Sequence, residues 1–338
     1  MSITIKKIAE LSNTSRGTVD RVLNKRGNVS KEVEKRVLDV VKEYNYQYNP
    51  YARALVNSKK KNIIGVVINS IGNEFFDKVI EGIKDSIKSY KSMGIELEMI
   101  ELKGYIIKEQ INAIDTLLKK GINALAITPI NNKEIETKLK SLDIPIVTFN
   151  NDIDIEKLAF VGCDYYNNGL LCGDLANLMM EKGNAIIVTG SLLQKGHNER
   201  IKGFKDSFLN NGNNKIIEIL ENNDDENISY NLVKESINKY NIDLIYFGAG
   251  GIKGGLKAVT ESNQRIKIIT VDETNTVVDN LKKGIIYATV TQQPYKQGYK
   301  TIEILCDKLL LKKKPKNIIQ YTGNRIKLKN SKFFELEN

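Results

Sequence analysis

From Asn62 to about residue 325, the sequence alternates short apolar runs with longer amphipathic runs. The short runs, such as Ile63–Ile68 and Ile146–Phe149, have the length and the branched side chains of buried strands. The longer runs, such as Phe75–Tyr90, repeat apolar residues at helical spacing. Strands that alternate with helices form parallel sheets covered by helices on both faces. This stretch is long enough for two such sheets, so it predicts an α/β fold with two doubly wound parallel sheets.

The positive charge of the chain is concentrated before this region. Residues 1–61 carry 14 Lys and Arg against 6 Asp and Glu, a net charge of +8, whereas the remaining residues have a net charge of +2. A solvated lysine-rich surface would spread its charge over the whole chain. A compact basic segment beside a nearly neutral body instead indicates a nucleic-acid-binding module joined to a second function.

Three short helical patterns follow one another within the basic segment. Thr4 is placed to cap the first, Ser15 the second and Ser30 the third, and Gly27 is a natural stop after the second. Two short helices joined by a tight turn and covered by a third form a helix-turn-helix unit. The sequence therefore predicts an all-α DNA-binding headpiece ahead of the α/β body.

The second helix of such a unit enters the major groove of DNA. Arginine can bind guanine in a bidentate manner, threonine can meet a phosphate or a thymine methyl group, and aspartate can accept a hydrogen bond from cytosine. The side chains this helix would present are those of Arg16, Gly17, Thr18, Asp20 and Arg21.

The run from Thr4 to Tyr46 resembles the headpiece of the lac-repressor (LacI/GalR) family of bacterial transcription factors. The shared motif includes Ser15, Thr18-Val19, Arg21-Val22-Leu23-Asn24 and Val29-Ser30, without gaps. The sequence departs from the family at Asp20, where serine is usual, and at Tyr48, where proline is usual. The first departure changes the base preference that the resemblance would imply.

The resemblance continues into residues 49–58, which read as a short hinge helix started by Pro50. In the family this helix forms on the operator, and a leucine from each subunit of a dimer wedges into the minor groove. Leu55 is the matching leucine, and packing of Leu55 on Tyr48 or Tyr51 is the alternative. The complete set of residues predicted to contact operator DNA is Thr4, Ser15, Arg16, Gly17, Thr18, Asp20, Arg21, Asn24, Arg53 and Leu55.

The body resembles the type I periplasmic-binding-protein fold of ribose-type sugar-binding proteins. That fold implies a hinged, two-lobed clamshell of doubly wound parallel sheets that closes on a ligand. It also implies three chain crossings between the lobes, which we place near residues 161–164, 289–294 and 318–322. The predicted domains are a headpiece at 1–47, a hinge and linker at 48–61, a ligand domain at 62–325 and a C-terminal tail at 326–338. Lobe 1 then comprises about 62–161 and 293–320, and lobe 2 about 162–292. The resemblance also implies a homodimer on a palindromic operator.

Ligands of open α/β sheets bind beyond the carboxyl ends of the strands. The residues that follow the predicted strands are rich in amides and carboxylates, and one position has an aromatic pair, a set that suits a small polyhydroxylated molecule. Sugar-binding relatives use the same positions. The predicted ligand-binding residues are Asn69, Asn73, Phe75, Phe76, Asn150, Asn151, Asn198, Asp272 and Gln292.

Several of these residues have a purely structural alternative. Asn73 could cap a helix, and Asn150-Asn151 could form a turn. Since Phe75 and Phe76 are adjacent, we expect at most one of them to face the cleft. Asn150-Asn151 also replaces an Asp-Arg pair that is common in sugar binders, so an ordinary pentose is not implied.

Asp272 is the predicted main anchor, because it and its neighbour Glu273 are the only carboxylates directly after a predicted strand at the cleft. Without an arginine at position 151 we expect a neutral sugar or polyol. Lys195, Arg200 or Lys253 would suit a sugar phosphate instead if one of them entered the cleft.

Other functional classes find little support in the sequence. His197 is the single histidine and is expected at the cleft edge or surface, and there is no pattern for a metal site, a cofactor or catalysis. A solute-binding protein of a sugar transporter is the alternative function, but it needs a signal peptide or lipidation cysteine, and an enzyme on the same sheet is a third. Three sparse cysteines and the absence of a long apolar run predict a cytoplasmic protein without a membrane partner.

Overall fold

The computed structural model describes residues 3–24, 26–46, 61–210 and 212–333. These residues fall into two compact units, one containing the described residues up to 46 and the other containing those from 61 onward. Within the described residues, no helix is long and apolar enough to cross a membrane.

Among its described residues, the N-terminal unit contains three helices: α1 (Ile5–Leu11), α2 (Arg16–Leu23) and α3 (Lys31–Glu43). The predicted caps are confirmed, because the side chains of Thr4, Ser15 and Ser30 each accept a hydrogen bond from a backbone N–H in the first turn. The helices pack around a small apolar core, formed by Ile8, Ala9, Val19, Val22 and Val37.

The C-terminal unit contains two six-stranded sheets, each forming the centre of one lobe. Lobe 1 has the strand order β11-β5-β4-β3-β1-β2 and is parallel throughout; lobe 2 has the order β12-β10-β9-β8-β6-β7, with only β12 antiparallel. The strands of lobe 1 are β1 (Asn62–Ile71), β2 (Ile95–Lys103), β3 (Ala124–Ile127), β4 (Ile146–Phe149), β5 (Ala159–Cys163) and β11 (Ile319–Thr322). Those of lobe 2 are β6 (Asn184–Thr189), β7 (Lys215–Glu221), β8 (Leu244–Phe247), β9 (Lys267–Val271), β10 (Ala288–Thr291) and β12 (Arg325–Lys327).

Helices cover both sheets, and their buried faces are apolar. Lobe 1 carries α4 (Phe75–Tyr90), α5 (Ile107–Lys119), α6 (Lys133–Lys140) and α12 (Pro294–Leu311), with a 3-10 turn at Lys91–Met93. Lobe 2 carries α7 (Tyr165–Met179), α8 (Lys195–Phe208), α9 (Glu226–Lys239), α10 (Ile252–Thr260) and α11 (Asn275–Lys283). Clusters of buried apolar side chains form the core of each lobe. The predicted fold class, a helical headpiece before a two-lobed parallel-sheet clamshell, is confirmed.

The chain crosses between the lobes after β5, after β10 and after β11. The first two crossings lie where the sequence placed them, but the third lies at Gly323–Asn324, slightly later than predicted. The following strand β12 pairs with β10, so lobe 2 includes residues that the sequence assigned to a C-terminal tail. The crossings are bonded to each other: Thr322 Oγ1 donates to the carbonyl of Gln292 at 2.8 Å, and Gly323 N donates to Gln293 Oε1 at 2.7 Å.

Candidate functional site

Helix α2 presents one polar, exposed face. Val19 and Val22 point into the headpiece core, whereas Arg16, Gly17 and Arg21 are exposed. A Cβ atom added at Gly17 would meet only Ser15 Oγ, at 3.7 Å, so the packing of the headpiece does not require glycine there. This face has the charge and the open backbone expected of a helix that approaches DNA closely.

Asp20 and Asn24 interact with each other at the end of the same helix. Asn24 Nδ2 donates to Asp20 Oδ1 at 3.0 Å, and Arg26 Nη1 donates to Asp20 Oδ2 at 3.2 Å. Ser15 and Thr18 are likewise paired through their hydroxyl groups at 2.9 Å. These bonds hold the side chains in defined positions, and their contacts with bases remain predictions. Arg53 and Leu55, the predicted hinge residues, lie outside the described residues.

The carboxyl ends of the strands in both lobes converge on one pocket. Eight of the nine predicted ligand-binding residues line it: Asn69, Asn73, Phe75, Phe76, Asn150, Asn151, Asp272 and Gln292. The pocket also contains residues that the sequence did not predict, among them Tyr105, Thr128, Tyr165, Gln194, His197, Arg200, Asp224 and Gly250.

Asn198 is the predicted ligand-binding residue that the structure does not place in the pocket lining. It lies on helix α8, and its Nδ2 donates to the carbonyl of Leu192 at 2.8 Å near the surface. The helical repeat explains the difference, since Gly196, His197 and Arg200 share the inward face and Asn198 is turned away from it.

Phe75 and Phe76 both line the pocket, contrary to the expectation that at most one would. Their rings meet edge to face with centroids 5.1 Å apart, and both side chains are buried. They stand at the start of α4, where Asn73 Oδ1 accepts the N–H of Phe75 at 3.0 Å. Asn73 therefore caps this turn and still lines the pocket through its amide group.

Two lining amides are already engaged in bonds within the protein. Asn69 Nδ2 donates to the carbonyl of Gly104, and Asn69 Oδ1 accepts from Gln110 Nε2 at 2.9 Å. Asn151 Nδ2 donates to the carbonyl of Pro129, and Asn151 Oδ1 accepts from Gly196 N of lobe 2 at 3.0 Å. Both residues thus shape the pocket walls, and Asn151 also ties the two lobes together.

Asp272 sits at the end of β9, held by a neighbour from the second crossing. Gln292 Nε2 donates to Asp272 Oδ1 at 2.6 Å. Burial raises the pKa of Asp272 from its ordinary 3.8 to about 6, although the nearby guanidinium of Arg200 opposes the shift. A buried carboxylate beside an amide donor is suited to accept hydrogen bonds from ligand hydroxyl groups.

Arg200 is the most informative residue that the sequence did not assign to the site. Its side chain is buried beneath the pocket with its guanidinium carbon 5.0 Å from the centre of the Tyr165 ring. Nη1 donates to the carbonyl of Gly248 at 2.5 Å, but Nε and Nη2 have no partner among the described residues. Nε and Nη2 form one edge of the guanidinium, so they can bind two neighbouring acceptor oxygens.

Asp224 is a second pocket carboxylate, so the expectation that only Asp272 and Glu273 supply one is wrong. Asp224 Oδ1 accepts from Gly250 N at 2.7 Å, and Asp224 Oδ2 accepts from the hydroxyl of Tyr105. Asp224 follows β7, a half-exposed strand whose mixed pattern of isoleucine and glutamate does not predict a buried strand.

His197 lies in the pocket wall rather than on the surface. Ser191 N donates to its Nδ1 at 3.0 Å, and its ring meets the Tyr105 ring edge to face at 6.3 Å. Burial lowers the pKa of His197. Within the described part of the chain, no group of three His, Cys, Asp or Glu side chains is arranged to hold a metal ion.

The residues at the strand ends have an unusual backbone conformation. Asn150, Asp224 and Asp272 have φ angles of 60°, 56° and 72°, in the left-handed region. Asn and Asp enter this region more readily than other non-glycine residues, and strained positions of this kind cluster at ligand sites.

Together, the three-helix headpiece and the polar pocket between two α/β lobes define a helix-turn-helix unit followed by a domain of the periplasmic-binding-protein type. The model of the lacI family of bacterial regulatory proteins matches the headpiece, at residues 4–49. A model of the periplasmic binding protein domain matches residues 64–314. Because this second model spans more than half of the chain, the chain belongs to the family of the periplasmic binding protein domain. The resemblance of the headpiece to the lacI family, predicted from its motif, is confirmed.

Similar proteins include regulators from several bacteria. The chain is 26% identical to catabolite control protein A of Priestia megaterium over 216 residues. This alignment covers 63% of this chain and 63% of that relative. The chain is 33% identical over 153 residues to the ribose operon repressor of Halalkalibacterium halodurans, covering 45% and 44%. The chain thus matches less than two thirds of the length of these relatives.

Among solved structures, the fold is similar to that of GanP, a glucose-galactose binding protein from Geobacillus stearothermophilus. The TM-score is 0.73 at 24% identity, and the match covers 80% of this chain and 98% of GanP. A solute-binding protein of Agrobacterium vitis, bound with α-D-tagatopyranose, has a TM-score of 0.73 at 19% identity, covering 80% of this chain and 95% of that one.

Proposed function

We propose that this chain is a ligand-responsive transcriptional regulator, a repressor that binds a palindromic operator as a homodimer and senses a small sugar-like molecule. The observation that carries the proposal is the presence, in one chain, of a helix-turn-helix headpiece and a polar pocket in which Nε and Nη2 of Arg200 have no partner among the described residues. Relatives named as repressors and regulators support the same reading. Such a regulator acts where the DNA is, in the cytoplasm.

The proposed DNA contacts come from the exposed face of α2 and from the hinge. Arg16 and Arg21 read bases or bind phosphates, with Thr4, Ser15, Gly17, Thr18, Asp20 and Asn24 around them. Arg53 and Leu55 act in the minor groove, where Leu55 kinks the duplex. Leu55→Ala should reduce DNA bending and operator affinity while ligand binding persists, and an unchanged bend angle would leave packing as the role of Leu55.

The proposed ligand is a neutral sugar or polyol. Asp272 and Asp224 accept from its hydroxyl groups, Arg200 donates to its oxygens, and Phe75 and Phe76 cover its apolar face. Sugar-binding structures of the same fold support this class. A sugar phosphate is the second possibility, because Arg200 does lie in the pocket; the two carboxylates beside it favour the neutral ligand.

Gel shift with DNA from upstream of the gene tests the regulator directly. We expect a specific complex whose affinity changes when a stabilising sugar is added. Thermal-shift screening of monosaccharides, polyols and sugar phosphates identifies that sugar, since a ligand that binds the native state raises the melting temperature. A half-site bound as tightly as the palindrome would refute the dimer.

The alternative, a solute-binding protein of a sugar transporter, makes the opposite prediction for DNA. Such a protein would bind sugar but show no preference for the upstream DNA over a random duplex of equal length. Sugar binding without sequence-specific DNA binding would therefore replace the regulator with this alternative.

A further inference from the structure

Tyr105 and Asp224 come from opposite lobes and bond directly to each other. Tyr105 follows β2 of lobe 1, and Asp224 follows β7 of lobe 2. The Tyr105 hydroxyl donates to Asp224 Oδ2, while Gly250 N fixes the other carboxylate oxygen at 2.7 Å. The bond therefore spans the mouth of the cleft, with a carboxylate that is itself held rigidly.

The surroundings keep the phenol protonated and its ring in place. Burial and the neighbouring Asp224 raise the pKa of Tyr105 well above its ordinary value, so the hydroxyl is the donor. The Tyr105 ring also packs edge to face on His197 of lobe 2. Both the polar and the apolar part of Tyr105 thus contact the opposite lobe.

Glycine at two positions makes this close approach possible. A Cβ atom at Gly250 would lie 2.8 Å from Asp224 Oδ1 and 2.9 Å from Asn73 Nδ2. A Cβ atom at Gly190 would lie 2.6 Å from Asp224 Oδ1 and 2.7 Å from His197 Cε1. Neither glycine has a positive φ angle, so it is space, and not backbone conformation, that excludes a side chain.

Two further contacts follow the same rim. Glu74 of lobe 1 accepts a hydrogen bond from the hydroxyl of Thr276 in lobe 2 at 2.9 Å. Lys103 of lobe 1 lies 3.6 Å from Asp225 of lobe 2, but the lysine side chain is 69% exposed, so this pair contributes little. Tyr105–Asp224 is the rim contact that also lines the pocket.

We propose that Tyr105 and Asp224 form a latch that holds the two lobes closed, and that the latch selects ligands small enough to lie wholly behind it. This inference rests on the proposed function for its ligand, but not for the closure itself. The bond is made between protein groups, so it stabilises the closed form whatever sugar is bound. If the closed form is the one that binds the ligand, the apparent affinity for the ligand rises in proportion to the fraction of molecules that are closed. A ligand that projects past the latch must break the bond and meet the Asp224 carboxylate, which disfavours phosphate esters at that end.

The latch is tested by measuring the distance between two spin labels, one on each lobe, by double electron–electron resonance. The measurement uses the full chain without sugar or DNA. Glu109→Cys on α5 and Lys253→Cys on α10 are exposed positions in opposite lobes, and the three native cysteines are buried. With the wild-type pair we expect a dominant short distance. Tyr105→Phe keeps the ring and removes one bond to a charged group, so the ratio of closed to open forms should fall about tenfold or more.

Tyr166→Phe is the matched control, because the Tyr166 hydroxyl donates to Asp206 at 2.9 Å within lobe 2 alone. It should leave the distances unchanged, whereas Gly250→Ala should open the cleft as Tyr105→Phe does. An open wild type, an unchanged Tyr105→Phe or an equal effect of Tyr166→Phe would each overturn the latch. Because neither sugar nor DNA is used, failure to find an effector would count against the proposed function and leave this result standing.

Discussion

The proposed DNA-binding face of the headpiece and the proposed ligand pocket arrange their polar side chains in opposite ways. The exposed face of α2 belongs to one continuous helix. Its exposed arginines therefore lie within a few consecutive residues of the sequence. The pocket brings together residues far apart in the chain, such as Tyr105, Arg200 and Asp272, and buries them. An exposed surface loses little when one side chain is removed, whereas a buried polar network loses the bonds of every partner. The pocket should therefore be far more sensitive to single substitutions than the headpiece.

Arg200→Met should give the largest effect. It removes the unpartnered Nε and Nη2 donors and leaves the carbonyl of Gly248 without its guanidinium donor. We expect a loss of about 3 kcal/mol or more in binding the sugar found by thermal shift, which is over a hundredfold in affinity. Calorimetry measures this, with Asn198→Ala on the same helix as the control that keeps normal affinity. Equal losses for both variants would mean that α8 acts as a whole and that the guanidinium has no special role.

Asp272→Asn should alter the pH dependence of stability. Burial raises the pKa of Asp272 to about 6, so between about pH 4 and 6 the native chain binds a proton that the unfolded chain releases. Stability without ligand therefore falls as pH rises through this window, by up to about 3 kcal/mol. The variant should lose this slope, be more stable at pH 7.5 and bind the sugar more weakly.

Denaturant unfolding from pH 4 to 8 checks the slope for Asp272. Asp279→Asn, the same change on the exposed surface of α11, serves as its control. A slope that survives in Asp272→Asn would assign the proton to another group.

Arg21→Ala and Arg16→Ala should each weaken operator binding by about 1–3 kcal/mol if the arginine reads a base. If it binds only phosphate, the loss should be equal on random DNA and the salt dependence should become less steep. Gel shift at several salt concentrations separates these cases, with Arg265→Ala on lobe 2 matching the change in net charge. Unchanged binding to both kinds of DNA would remove that arginine from the interface.

Gly17→Ala should have the smallest effect on stability. An added Cβ atom meets no close neighbour, and alanine favours a helix over glycine by about 1 kcal/mol, so the headpiece should gain up to that amount. Operator affinity should nevertheless fall if α2 approaches DNA closely at this point. Gly27→Ala is the comparison variant. Gly27 has a φ angle of 70°, so alanine at this position should destabilise the headpiece. Thermal unfolding and gel shift together check both signs, and full operator affinity in Gly17→Ala would exclude a close backbone approach there.

The sequence predicted the headpiece and most strands because the deciding signals are local. Caps at Thr4, Ser15 and Ser30 lie beside the helices they start, and the central strands are continuous apolar runs. Strand β7 was missed because its outer face is partly exposed and mixes glutamate with isoleucine, so Asp224 at its end was missed too.

The remaining pocket residues depend on tertiary structure. Tyr105 reaches its partner across 119 positions of sequence, and only closure of the lobes brings the two together. Arg200 rather than Asn198 lines the pocket because of the way helix α8 is rotated about its axis against the sheet. The sequence motif around these residues does not specify that rotation. Eight of nine predicted pocket residues were nevertheless located, since the carboxyl ends of parallel strands converge regardless of detail.

The left-handed backbone at Asn150, Asp224 and Asp272 limits how this pocket can change during evolution. Only Asn, Asp and Gly occupy such a conformation at low cost, so branched or aromatic residues cannot easily be sampled at these positions. New ligand preferences are then most accessible where the backbone is ordinary, at Thr128 and Ala249 for example, which also line the pocket. The left-handed backbone restricts these three positions to Asn, Asp or Gly, so diversity among descendants of this chain should accumulate around them.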